Sequence, residues 1–131
     1  MNNKEADYAC KPLPELTIDF ESTPDQYPIV MLDRGNCTFV TKARNVQRVG
    51  GLFALIVNNN DNDIDRIILS DDGTGSDIYI PTVLISKKDG EILKKYMLEN
   101  RNSPVSLKNI ILSIEFKMVN IDKFMIPLFL F

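Results

Sequence analysis

Residues 33–58 read Asp-Arg-Gly-Asn-Cys-Thr-Phe-Val-Thr-Lys-Ala-Arg-Asn-Val-Gln-Arg-Val-Gly-Gly-Leu-Phe-Ala-Leu-Ile-Val-Asn. A strand ends at Leu32, and Arg34-Gly35 makes a tight turn. One amphipathic helix follows, Gly50-Gly51 stops it, and the apolar run Leu52 to Val57 returns to the core as a strand. The Thr38 hydroxyl is placed to satisfy a free N–H of the first helical turn. Phe39, Ala43 and Val46 recur at i, i+4 and i+7 and so share one face. Lys42, Arg44, Asn45, Gln47 and Arg48 are expected mostly on the opposite, solvated face. Gly50 suits a left-handed cap.

Upstream, residues 1–15 are polar and hold Pro12 and Pro14, which predicts an N-terminal arm rather than a helix. Leu16 to Phe20 alternates as a half-buried strand does. Pro24 to Pro28 is a turn, and Ile29 to Leu32 a short buried strand. Downstream, 58–77 is irregular, with Asn58-Asn59-Asn60 and six aspartates, interrupted by the apolar piece Ile67 to Leu69. Ile80 to Ile85 is a further strand entry. Ser86-Lys87-Lys88-Asp89 resembles a capping box with Asp in place of Glu. It opens a second helix, about Lys87 to Leu98, predicted to bury Ile92, Leu93, Tyr96 and Met97. In Val105 to Val119, Leu112, Ile114, Phe116 and Met118 alternate with Ser113, Glu115 and Lys117, so one face is core and the other solvent. Phe124 to Phe131 is apolar, but a membrane-spanning helix needs about 20 residues, and this run carries Pro127. It reads as a closing strand, so no membrane contact by this chain is expected. The order predicts one α+β domain over residues 1–131, a bent sheet or open β-barrel with two main helices.

A length of 131 residues suffices for one core without a metal or several disulfides. The formal net charge of −3 implies no basic face, which counts against nucleic acid as a partner. There is no histidine, which removes Ser-His-Asp and Cys-His catalytic sets and the commonest zinc ligand. No cofactor, metal site or enzymatic activity is expected. Two cysteines can form one disulfide or remain two buried thiols. The start, Met1 to Asp7, lacks the apolar stretch of a secretory signal. On that ground alone the chain reads as trimmed or as cytoplasmic.

Each candidate site has a plain reading beside its functional one. Arg34-Gly35-Asn36-Cys37 can be a simple strand-to-helix turn with a solvated arginine. It can also present an exposed fork donor beside free backbone N–H groups, a place for a carboxylate or a peptide backbone. Asn36-Cys37-Thr38 is an N-glycosylation sequon, a poorer one if Cys37 is disulfide-bonded. Asp61-x-Asp63-x-Asp65 with Asp72 has the spacing of a calcium loop. However, Arg66 stands where the sharp turn needs glycine, so a solvated acidic loop is the better reading. Gly73-Thr74-Gly75 is too short for a dinucleotide fingerprint.

Taken in order, Ala9-Cys10, Arg34-Gly35-x-Cys37-x-Phe39, Lys42-Ala43, Gln47, the glycine stop, the strand with Asn58, and Ile80 to Ser86 before a helix with Gly90 resemble the protease-associated domain family. The resemblance covers roughly residues 8–98. Within that family the Ala-Cys-Lys-Pro start and the run through Leu93-Lys94-Lys95 look most like the lumenal domain of vacuolar sorting receptors, which usually carry an acidic residue where Asn36 stands. The resemblance implies the protease-associated fold and a Cys10–Cys37 disulfide tying the arm to the turn. It also implies a non-catalytic module that binds peptide or protein through Arg34, Gly35, Asn36, Cys37, Thr38 and Phe39, with Asn58 and Asn59 on the adjacent strand end. A secretory or endomembrane lumen, or the extracellular space, is the implied location, with any membrane anchor elsewhere in the parent protein. Other architectures with such a domain are the lumenal part of a membrane-anchored RING-type ubiquitin ligase, the lid of a protease, and a structural component of an assembly.

Overall fold

The structure is a computed structural model that describes residues 6–16 and 28–99. The chain divides into two compact units, Met1–Leu98 and Glu99–Phe131. The described residues belong to the first, except Glu99 at the end of the last helix. The strands expected over 16–20, 105–119 and 124–131 lie outside the described residues, save Leu16. They are the elements on which the bent sheet or open barrel depended.

Three strands form one sheet in the order β1 (Ile29–Asp33), β2 (Phe53–Val57), β3 (Thr82–Ile85). Both pairings are parallel, with Asp33 beside Val57 and Val57 beside Ile85. Parallel neighbours need a crossover. Helix α1 (Phe39–Arg48) supplies the first, and the irregular segment 58–81 supplies the second. The sheet ends in helix α2 (Lys87–Glu99). Two helices and a three-stranded parallel sheet are therefore the described α+β architecture.

Strand β2 lies in the middle and is buried on both faces from Ala54 to Val57, which explains its unbroken apolar run. Ala54 and Ile56 join Ala9, Leu32, Val46 and Ile80 in the core beneath α1. Val57 meets α2 on the other face. A Cβ on Gly90 would lie 2.2 Å from Val57 Cγ1, so only a glycine lets α2 approach that closely. Each fully buried aliphatic side chain here contributes about 1.5–3 kcal/mol.

The helix signals are realised locally. Thr38 Oγ1 accepts the Thr41 N–H at 3.1 Å. Gly50, at φ +87°, donates to the Gln47 carbonyl, and Gly51 to the Val46 carbonyl, closing a Schellman cap. Ser86 Oγ accepts the Asp89 N–H at 3.0 Å and also donates to the Asp89 carboxylate at 2.7 Å.

Two expectations need correction. Lys42 and Asn45 are buried, not solvated, because the N-terminal arm covers their side of α1. In α2, Ile92, Tyr96 and Met97 are exposed and Leu93 is only partly buried. The helix meets the sheet through Gly90, and Lys94 holds Asp33 at 2.5 Å, which turns the Ile92 stripe away. The aspartates of 58–77 are exposed, as a solvated acidic loop requires, and the end of that loop is in addition fastened to α1 and its cap through Asp72, Thr74 and Asp77. Among the described residues no group of three His, Cys, Asp or Glu is gathered as metal ligands.

Candidate functional site

Parallel pairing places the carboxyl ends of all three strands at one edge, the edge at which ligands of open parallel sheets bind. Arg34 leaves β1 there, and its backbone N–H donates to the Val57 carbonyl at 2.9 Å. Asn58 leaves β2 beside it and is 2% exposed. Its Oδ1 accepts Arg34 Nη1 at 2.9 Å and the Asn59 N–H at 3.0 Å, while its Nδ2 reaches Asn60 Oδ1. The Arg34 guanidinium carbon lies 5.9 Å from the centre of the Phe39 ring. One amide and one ring thus fix the fork. Nε and Nη2 have no partner among the described residues and remain as donors. Arg34 is half-buried rather than fully exposed, which makes it the more rigid donor.

The turn itself needs unusual backbone. Gly35 sits at φ +126°, and Asn36, exposed at the crest, at φ +66°, a region asparagine tolerates better than most residues. A Cβ on Gly35 would touch the Tyr8 ring at 3.4 Å and the Asn59 amide at 3.7 Å, so the arm and the β2 end both border the turn. Cys37 is bonded to Cys10, 27 residues away, with the two Cα atoms 5.7 Å apart. Of the expected ligand residues, Arg34, Gly35, Phe39, Asn58 and Asn59 come together. Cys37 anchors the turn from below. Thr38 faces away: its hydroxyl caps α1 and donates to Asp72 Oδ2 at 2.7 Å.

The arm under this turn is held by polar groups that sequence reading missed. Lys42 is fully buried, and its Nζ donates to the Tyr8 carbonyl at 2.6 Å. The same nitrogen lies 5.3 Å from the Tyr8 ring centre and 3.8 Å from Cys10 Sγ. Burial pulls its pKa from 10.5 down to about 8, against the opposing pull of Asp33. Asn45 Nδ2 donates to the Ala9 carbonyl at 2.8 Å. Ala9 is buried at φ +50°, strained for a residue with a Cβ and held there by these bonds and the neighbouring disulfide. The only signal for Lys42 was its place in the ordered set of motifs; apolar periodicity marks no buried lysine.

On the outer side of α1, Arg44 grips Asp77 with two bonds of 3.0 and 3.1 Å and also donates to the Thr74 carbonyl. Gln47 donates to the Asp77 carbonyl and accepts the Tyr79 N–H. The Arg44 bond holds the Asp77 carboxyl below its usual range. Bonds from Thr74 and Thr38 do the same for Asp72. Asp72 and Asp77 are therefore ionised fittings of the loop.

The profile of the PA domain family matches residues 4–93. Vacuolar-sorting receptor 3 of Arabidopsis thaliana is 34% identical over 98 residues, covering 70% of this chain and 16% of the receptor. Receptor homology region, transmembrane domain- and RING domain-containing protein 3 of the same plant is 44% identical over 70 residues, 53% of this chain and 16% of that protein. Signal peptide peptidase-like 3, also from Arabidopsis thaliana, is 36% identical over 74 residues, 56% of this chain and 14% of that protein. The chain thus spans only a small part of each of these relatives. The match over most of residues 1–98, together with the ordered turn, disulfide and strand-end asparagine, shows that the chain belongs to the PA domain family.

Proposed function

We propose that this chain is a non-catalytic module that binds a peptide or protein segment at the Arg34–Phe39 turn, as cargo recognition in the lumen of the secretory pathway. The single observation that carries the proposal is the Arg34 fork. It is fixed by Asn58 and Phe39, keeps N–H donors unused among the described residues, and stands at the carboxyl edge of a parallel sheet. Gly35, Asn36, Cys37 and Asn59 shape the surroundings, and Thr38 serves the turn from behind. The absence of histidine from the sequence supports a role without chemistry of its own. Similarity to a vacuolar-sorting receptor supports cargo as the ligand class. In such a lumen the exposed Asn36 is the residue of this turn open to a glycan. Extension of the three-stranded sheet into a bent sheet or open barrel belongs to the same proposal.

A second reading, favoured by the 44% identity to the RING-containing relative, makes the chain the receptor region of a membrane-anchored ubiquitin ligase. The peptidase-like relative supports a third, a lid beside a protease. The gene sequence flanking residues 1–131 separates the three.

The test is selection of random decapeptides against the purified, disulfide-bonded chain. A charged contact to Arg34 is worth about 1.5–3 kcal/mol. Arg34→Ala should then weaken the selected peptides roughly 10- to 100-fold. It should cost the fold about 1.5–3 kcal/mol, for the lost charged bond to buried Asn58. If every selected peptide binds the variant as well as the parent, the site lies elsewhere.

A further inference from the structure

A cavity of about 260 Å3 opens on the other side of Phe39, between α1 and the aspartate loop. Its apolar lining comes from Phe39, Val40 and Ala43 on α1 and from Leu69, Ile78 and Ile80 on the loop. One wall is charged. Asp71 borders the cavity, and its Oδ1 accepts the Gly73 N–H at 3.0 Å and the Gly75 N–H at 2.9 Å. These two bonds fix the carboxylate. Gly75 also borders the cavity, and a Cβ there would lie 2.7 Å from Asp71 Oδ1, so the bare glycine is what lets the carboxylate lie in the wall. Asp71 Oδ2 has no partner among the described residues. Arg44, whose charge Asp71 feels, is already committed to Asp77 and Thr74.

A mainly apolar trough, also bordered by Ser70 and Thr82, with one fixed, half-used carboxylate selects its occupant. A purely aliphatic side chain would desolvate Asp71 and return nothing. An acidic one would be repelled. Arginine and lysine carry an apolar stem with a cation at its end, and a guanidinium matches a carboxylate in geometry. We propose that this cavity is a second subsite, which takes the arginine or lysine side chain of a bound peptide, its stem on α1 and its head on Asp71. The proposal rests on the peptide-binding reading for the source of that side chain, but not on Arg34.

The probe is Nα-acetyl-arginine amide, titrated into the isotopically labelled full chain and followed by amide chemical shifts. Nα-acetyl-citrulline amide, of the same shape but neutral, is the control. The arginine probe should shift Val40, Ala43, Asp71, Gly75 and Ile78, with millimolar affinity expected for so small a ligand. The citrulline probe should bind about three- to tenfold more weakly, a modest gap because Asp71 is exposed and screened. Asp71→Asn keeps the oxygen that Gly73 and Gly75 use, so the chain should melt as before while the preference for arginine vanishes. Equal affinity for the two probes, shifts confined to other residues, or a preference that survives Asp71→Asn each overturns the proposal. A chain that binds selected peptides through Arg34 but ignores the arginine probe keeps the proposed function and loses this subsite. A chain that takes the probe at the cavity, yet binds no peptide through Arg34, does the reverse.

Discussion

Replacing Lys42 with methionine probes the tie between the arm and the helix. The wild-type ammonium has no solvent contact and three close neighbours, the Tyr8 carbonyl, the Tyr8 ring and Cys10 Sγ. Burial lowers its pKa from 10.5 to about 8. At about 1.4 kcal/mol per tenfold change in proton affinity, the buried charge costs the fold about 3 kcal/mol at neutral pH. Between pH 8 and 10.5 the unfolded chain holds this proton and the folded chain does not. The unfolded state binds more protons there, so Lys42 makes stability rise with pH across that window. From pH 7 to pH 10 the gain should be about 1–2.5 kcal/mol.

Methionine fills nearly the same volume without titrating. At pH 7 the variant escapes the cost of the charge. It leaves the Tyr8 carbonyl unpaired, at about 1–3 kcal/mol, and loses the ring contact, at about 0.5–2 kcal/mol. The two proteins should therefore lie close together at pH 7, and the wild type should be the more stable at pH 10. Urea unfolding followed by circular dichroism at pH 7, 8, 9 and 10, with the disulfide intact, measures this. All other lysines and tyrosines are common to both proteins, so the difference isolates Lys42. A difference that is flat with pH, or that moves against the wild type, refutes the reasoning. The bonds to Tyr8 would then outweigh burial.

The remaining predictions concern the covalent tie and the second helix. Protein from an oxidising compartment should show the Cys10–Cys37 bond as a loss of two hydrogens in non-reducing mass spectrometry; two alkylatable thiols would count against it. Cys10→Ser should cost about 3–4 kcal/mol by the chain-entropy relation for this loop length, read as a lower urea midpoint. Gly90→Ala should destabilise by about 1–3 kcal/mol despite alanine's better helix propensity, because its Cβ would lie within 2.7 Å of both Val57 methyl carbons. A rise in the melting temperature would show that α2 can shift away from Val57 at little cost.

Much of the local structure could be read directly. The Thr38 cap, the helix from Phe39, the Gly50 stop, the return strand and the Ser86 cap all depend on side chains a few residues apart. The order of motifs also located Arg34 and the Cys10–Cys37 pair. Reading failed where a polar side chain is buried against remote backbone. Lys42 reaches Tyr8 across 34 residues, and Asn45 reaches Ala9 across 36. Their partners are carbonyls, which every residue carries, so no pattern of side chains announces them. The α2 stripe erred in the opposite sense: Ile92, Tyr96 and Met97 have helical spacing, but spacing cannot say whether a neighbouring element covers that face.

Among the described residues, the sequence by itself determined the strands near 29–33, 53–57 and 82–85, the two main helices and their caps, and it carries no histidine, because propensity, capping and residue type are local properties. Only the tertiary structure decided that β1 and β2 pair in parallel. That pairing sets Asp33 beside Val57 and so brings Arg34 and Asn58 to one edge. It also decided that the arm lies across α1 and that Arg44 and Gln47 bind the aspartate loop to form the cavity wall. These are contacts between segments 24 to 36 residues apart. Their geometry is fixed by how the shared core packs, not by any single segment's preference.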